Sequence, residues 1–264
     1  MTRPTRVLVT GGTGVLGREL VPRLQARTEV RVLSRRPPPG PGFVQGDLET
    51  GEGLAAAVED VDAIAHCASA ADYRRPQRDV TQLRQLLEAI GGARPHLVYV
   101  SIVGVDRVRF GFFQAKLDTE RLVEDSGLPW TILRATEFHD LMLTFLMRLA
   151  KGPAAVVPQK AQFQPVDAGD VAERMAELVM GPAAGRVREL GGPKVESMAD
   201  LMRAYLAAAR RRRRVIEIPV WGRLGAGLGL GGQLLTDDDR GSVSFADYLH
   251  AHTDADGVLD VTNR

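Results

Sequence analysis

The chain has 264 residues, of which 44% are hydrophobic and 25% charged, the balance of an ordinary globular protein. That is enough apolar material for a large core, which excludes disorder, a collagen-like repeat and a disulfide-stapled miniprotein. Its 34 basic and 33 acidic side chains leave a net charge of +1, so there is no global field for collecting nucleic acid or anionic lipid.

The length suits one α/β domain with a substrate-binding lobe. A single cysteine, Cys67, cannot bridge internally and fits a reducing compartment. Residues 1–6 pass directly into the strand-like Val7-Leu8-Val9, without the apolar run of a secretory signal. A membrane span needs ~20 uninterrupted apolar residues. The nearest candidate, 220–235, is interrupted by Arg223 and six glycines. A cytoplasmic location is expected.

In chain order, short β-type runs alternate with helical patterns, which predicts crossover units and a parallel sheet. Strands are expected at 6–10, 30–33, 42–44, 63–67, 96–101 and 130–134, with helices near 15–26, 53–58, 78–90 and 116–126. Within 78–90, Val80, Leu83, Leu86, Leu87 and Ile90 recur three and four apart and predict one buried stripe. The proline-glycine run at 37–42 reads as a stiff turn. Past Arg134 the pattern changes to apolar helices at 137–149 and 170–180. An amphipathic helix at 197–209 follows, with Met198, Leu201, Met202, Tyr205 and Leu206 on one face. The expected architecture is α/β: a doubly wound parallel sheet of Rossmann type over 1–150, then a smaller C-terminal substrate-binding lobe over 151–264. Part of that lobe, near 163–180, is expected to pack back on the sheet.

The strongest signal is the first strand-to-helix turn. Thr10 leads into Gly11-Gly12-Thr13-Gly14-Val15-Leu16-Gly17, in which Gly12, Gly14 and Gly17 satisfy G-x-G-x-x-G. Glycines there allow a sharp turn, close approach of backbone to a pyrophosphate, and tight packing of helix on strand. The helix's unpaired amides and positive end then hold the phosphates. A site selective for NAD carries a carboxylate at the end of the second strand. This chain has Ser34-Arg35-Arg36, which suits the extra 2′-phosphate of NADP(H), so NADP(H) is expected over NAD(H). The alternative for the arginines is a solvated pair beside the proline turn.

The segments Thr10–Gly17, Gly46-Asp47-Leu48, Val100-Ser101-Ile102-Val103-Gly104-Val105-Asp106, Leu133-Arg134-Ala135-Thr136, Gln164-Pro165-Val166-Asp167 and Asp170-Val171-Ala172 together resemble the atypical short-chain dehydrogenase/reductases. The branch they resemble is the NmrA-like, NAD(P)H-binding group, over roughly the first 180 residues. The resemblance implies that Asp47, beside Leu48, contacts the adenine amino group. It implies that Cys67, Ala68 and Ser69 line the adenosine ribose and approach the nicotinamide. Ser101 would sit near the reactive carbonyl and Lys116 would bond the nicotinamide ribose. Read from the residues alone, Asp47 could equally cap a helix, Ser101 close a strand, and Lys116 lie exposed. In the wider superfamily a tyrosine four residues before the lysine protonates the substrate oxygen. Here that position is Phe112, followed by Phe113, and phenylalanine has no proton to donate.

An isolated ketone would need that acid, whereas a quinone or similar conjugated acceptor spreads the arriving charge and takes its proton from water. The expected activity is therefore NADPH-dependent hydride transfer to a flat conjugated small molecule, with Tyr73, Phe112, Phe113 and Phe138 as candidate substrate contacts. Glu137 and His139 are candidate acids; the alternatives are that Glu137 caps a helix and His139 lies on its polar side. A cofactor-binding redox sensor without chemistry is the competing reading. The expected partner is a small-molecule substrate, with a homodimer as the candidate assembly and neither nucleic acid nor membrane. The close pair His250 and His252 points apart on a helix, so no metal site is expected. Arg210 to Arg214 reads as a solvated charge run, since no aromatic interleaves it.

Overall fold

The computed structural model describes residues 4–36, 40–69, 75–108, 111–219, 231–236, 239–253 and Leu259. In chain order its first elements are β1 (Arg6–Thr10), α1 (Val15–Gln25), β2 (Glu29–Ser34), β3 (Phe43–Gln45), α2 (Leu54–Val58), β4 (Ala63–His66), α3 (Arg78–Ile90), β5 (His96–Ile102), α4 (Gly111–Glu124) and β6 (Trp130–Ala135). There follow α5 (His139–Leu149), β7 (Ala154–Pro158), β8 (Gln162–Phe163), α6 (Ala168–Met180), β9 (Gly185–Arg186), β10 (Glu196–Ser197), α7 (Met198–Ala208), β11 (Arg214–Ile218) and α8 (Phe245–Ala251).

The chain forms two compact units and passes between them several times. The first comprises Met1–Ser101, Gly111–Arg134 and Val171–Arg188; the second comprises Ile102–Phe110, Ala135–Asp170 and Glu189–Arg264.

In the first unit, seven strands among the described residues make one sheet in the order β3-β2-β1-β4-β5-β6-β9. β1 pairs in parallel with β2 on one side and β4 on the other. The two central strands, Val7-Leu8-Val9 in β1 and Ala63–His66 in β4, are buried along their length, as a parallel sheet covered on both faces requires. The stripe of α3 buries Leu83, Leu86 and Ile90 in a core that includes Leu8, Ile64, Leu97 and Tyr99, with Val80 also buried and Leu87 half-buried against that core. Helix α4 starts at Gly111 rather than near 116, so Phe112 and Phe113 lie on the helix. Its buried side carries Lys116, Thr119 and Glu120 beside Ala115 and Val123, and those polar residues mask the apolar period.

In the second unit, α5, α7 and α8 share a core in which Leu143, Leu146, Met198, Met202, Tyr205, Phe245 and Tyr248 are buried. All five residues expected on one face of α7 are buried. Two small sheets pair β8 with β10 antiparallel and β7 with β11 in parallel. Sequence reasoning passed over these strands, two to five residues long, because so short a run carries little periodicity. The arginine run belongs partly to this sheet: Arg210 to Arg213 follow α7, and Arg214 opens β11. The helix expected at 137–149 begins at His139, since Phe138 is extended and bridges to Val166. No helix among the described residues is long and apolar enough to cross a membrane.

The packing of α1 on β1 depends on Gly17, where a Cβ would overlap the Gly11 carbonyl oxygen and the Gly12 backbone. Backbone cannot swing aside as a side-chain tip can. Gly17→Ala is expected to destabilise the protein by about 1–3 kcal/mol, read as a lower urea midpoint at unchanged slope.

Candidate functional site

The strand order reverses between β1 and β4, and ligands of open α/β sheets bind outside the carboxyl ends of the strands at such a point. The glycine turn after β1 and the Cys67-Ala68-Ser69 segment after β4 meet there. Gly11 has φ +69, and a Cβ on it would lie 2.6 Å from the Ala68 nitrogen and 2.8 Å from the Cys67 carbonyl carbon. A side chain is excluded on both counts. Thr13, Gly14 and Val15 are exposed, while Gly12, Leu16 and Gly17 are buried under them. Gly14 is the N-cap of α1 and supplies no side-chain bond, so no cap competes for the first amides of an eleven-residue helix. This backbone cradle with an open helix terminus fits a dinucleotide pyrophosphate.

At the end of β2, Ser34 is half-buried and its Oγ accepts from the Arg36 amide (3.2 Å). Arg35 and Arg36 are exposed. Asp47 is half-buried and its Oδ1 accepts from the Glu49 amide (2.8 Å), which caps a turn rather than a helix; Leu48 beside it is buried. Burial pushes the Cys67 thiol up to about 12, so it is not a thiolate. Tyr73 lies outside the described residues.

Beneath this edge lies a polar network that the sequence did not disclose. Thr10, fully buried, accepts from the Ala68 amide (3.4 Å) and shares a 2.8 Å bond with His66 Nδ1. The direction of the Thr10–His66 bond follows the imidazole tautomer. Burial, aided by the charge on Lys116, pushes His66 down to about 4, so it is neutral. Lys116 is 4% exposed, not solvated, and its Nζ lies 2.9 Å from Asp79 Oδ2. Ser69 Oγ donates to the same oxygen at 3.0 Å. The ammonium also stands 5.4 Å from the Tyr99 ring centroid and 5.9 Å from that of Phe112. Removing one partner of such a buried pair strands the other charge, at a cost of about 3–5 kcal/mol.

One turn along α4, Glu120 is buried between Arg134 (2.8 Å) and Arg186 (2.5 Å). Burial alone would raise its pKa, but those arginines and the Ser101 hydroxyl outweigh it and hold the carboxyl below the usual range. Ser101 is itself buried, with no partner at full hydrogen-bond geometry among the described residues. Phe112 and Phe113 pack edge to face, ring centroids 6.4 Å apart.

In the second unit, Glu137 does not cap α5. Its Oε1 accepts from the Gln164 amide (2.9 Å), and burial raises the carboxyl to about 7. His139 is wholly buried rather than on a polar face; its Nε2 bonds the Val243 carbonyl (3.0 Å) and its ring packs on Phe245 and Tyr248. Burial lowers its pKa, so it too is neutral. Phe138 serves as the N-cap of α5.

The first unit thus brings together the glycine turn, the β4 edge, Lys116 and Phe112. Sequence reasoning missed His66, Asp79, Tyr99 and Glu120. A signal existed for Asp79, which sits four and seven residues before Leu83 and Leu86, in register with the apolar stripe.

This arrangement defines a Rossmann-type dinucleotide-binding protein. Residues 11–182 match the family described as NAD(P)H-binding, and the chain belongs to that family. It is 30% identical over 211 residues to the (4-alkanoyl-5-oxo-2,5-dihydrofuran-3-yl)methyl phosphate reductase of Streptomyces griseus, covering 75% of this chain and 73% of that one. Its fold matches the NADPH-dependent quinone oxidoreductase QOR2 of Escherichia coli complexed with NADPH (TM-score 0.75, 17% identity, 93% of this chain and 99% of that one). It also matches the Citrobacter sp. triphenylmethane reductase complexed with NADP(H) (TM-score 0.74, 17% identity, 93% and 99%). The chain is an NAD(P)H-binding oxidoreductase of the atypical short-chain dehydrogenase/reductase type.

Two buried groups titrate with opposite consequences. His66 falls from 6.5 to about 4 on folding, so the stability tied to its neutral form is complete above pH 6.5 and lost as pH drops toward 4. Glu137 rises from 4.5 to about 7, so its contribution is complete below pH 4.5 and lost as pH climbs through 7. Urea unfolding at a series of pH values is expected to show His66→Gln gaining on the wild type by on the order of 3 kcal/mol between pH 6.5 and 4. Glu137→Gln gains instead between pH 4.5 and 7. Parallel wild-type and His66→Gln curves would exclude a buried neutral imidazole.

Proposed function

We propose that the protein is an NADPH-dependent reductase of flat, conjugated small molecules of the quinone type. The observation that carries this reading is Phe112 beside Lys116: the face of α4 that bears a proton-donating phenol in the wider superfamily presents a hydrocarbon ring. Tyr99 is the phenol near that lysine among the described residues, and it is 1% exposed within the sheet core. Burial raises its pKa, so it stays protonated and out of reach of a substrate. Two of the reductases named above act, by their names, on a quinone and on an alkanoyl-substituted oxo-dihydrofuranyl methyl phosphate, and both carry carbonyls conjugated with a ring double bond.

In this reading the turn from Thr10 to Gly17 holds the pyrophosphate, with Arg35 and Arg36 on the 2′-phosphate. Asp47 and Leu48 border the adenine, and Cys67 to Ser69 border the ribose. The bound reduced nicotinamide supplies the hydride. Lys116 orients the nicotinamide ribose through its ammonium, and Ser101 lies near the acceptor oxygen. Phe112 and Phe113 give a flat ring an apolar wall. The product anion of a quinone is delocalised and collects its proton from solvent. His139, bonded to a backbone carbonyl inside the second unit, holds that unit together rather than moving protons.

Two measurements test this reading. NADPH oxidation by a panel of quinones should turn over while simple aliphatic ketones do not; tight nucleotide binding with no turnover on any acceptor would leave a cofactor-binding regulator instead. Arg35→Ala/Arg36→Ala should weaken NADPH binding by about 10–100-fold, the worth of one or two charge-assisted bonds, and NADH binding far less. Equal losses for both nucleotides would reject the cofactor choice.

A further inference from the structure

The most unusual electrostatic feature of the first unit is an ammonium and a carboxylate both nearly out of solvent, at 4% and 3% exposure. We infer that Asp79 is the positioning residue for Lys116, a built-in counter-charge on α3 that keeps the ammonium protonated and aimed at the nucleotide edge of the sheet. This inference rests on the nucleotide-binding role given to Lys116 above.

Among the described residues, Asp79 is the carboxylate that meets this ammonium. His66, the last residue of β4, and Cys67, just after it, both feel the lysine's charge, and one is a neutral imidazole and the other a neutral thiol. Tyr99, from β5, is an un-ionised phenol held above its ordinary pKa by burial. On α4 itself, Phe112 is apolar, and Glu120 is engaged by two arginines. Ser69, at the end of β4, donates its hydroxyl to the same carboxylate oxygen that meets Lys116. That oxygen therefore ties the segment after β4, which borders the proposed ribose site, to the lysine on α4. Burial by itself lowers a lysine's pKa; at Lys116 its surroundings more than reverse it, and with Tyr99 un-ionised the opposing charge is that of Asp79. Replacing the carboxylate with a neutral amide removes that opposing charge and moves the lysine's pKa downward.

The test is the dissociation constant of NADPH, by fluorescence titration, from pH 6.5 to 9.5 on wild type, Asp79→Asn and Asp79→Glu. Thermal unfolding at each pH checks that the protein is folded. Wild type is expected to be flat. Asp79→Asn should weaken with rising pH, by roughly tenfold for each unit above the new lysine pKa, and Asp79→Glu should restore much of the flatness. A merely structural role would lower the unfolding temperature of Asp79→Asn without tilting this profile, so an Asp79→Asn profile parallel to wild type overturns the inference. Should Asp79→Asn not fold, NMR titration of the labelled Lys116 side chain in the wild type decides: no titration to pH 10.5 supports the fixed cation, and titration below pH 10 overturns it. A wild type that binds neither NADPH nor NADH instead defeats the nucleotide reading, and the lysine titration still judges the charge pairing independently.

Discussion

At Gly11, where β1 gives way to the turn into α1, no side chain is tolerated, because the main chain there lies directly on the backbone that follows β4. From that approach the rest of the first unit follows. It fixes which strands are neighbours at the reversal of strand order, it leaves the first amides of α1 open, and it brings Ala68 against the turn. A cradle made of backbone is rigid and already pointed before any ligand arrives, so little ordering cost falls on binding. The glycines are there to let two main chains touch.

A second layer supports this edge from below. Thr10 and His66 link β1 to β4, Ser69 and Asp79 link the end of β4 to α3, and Lys116 links α3 to α4. Buried polar groups are tolerated only when they satisfy one another, and a satisfied network holds its members in one geometry. Such a layer is where a reductase without the superfamily's tyrosine can still hold a lysine in place. Glu120, with its two arginines and Ser101, does the same one turn further along α4.

Much of the first unit was legible in the chain. β1 falls at Arg6–Thr10 and α3 at Arg78–Ile90, the bounds their patterns predict, because continuous apolar runs and a clean three-four period are local signals. Helix α4 was half hidden, since Lys116, Thr119 and Glu120 occupy the side that apolar residues normally mark. The second unit was less legible. Its strands are short, one opens with an arginine from a charge run, and β7 and β11 find each other only across intervening helices. Glu137 and His139 illustrate the same limit. A sequence places them beside each other after a strand, but their pKa shifts come from burial and their hydrogen-bond partners are Gln164 and Val243, far along the chain.

What the amino-acid order determined by itself was the class of fold, the glycine turn and the absence of a phenol before Lys116, because each is a matter of residue type at fixed spacing. What only the tertiary structure decided was charge: that Lys116 is buried on Asp79, that His66 is neutral, that Glu137 holds its proton near neutrality. Burial and the nearest opposite charge set ionisation, and both depend on chain segments that meet only when the protein has folded.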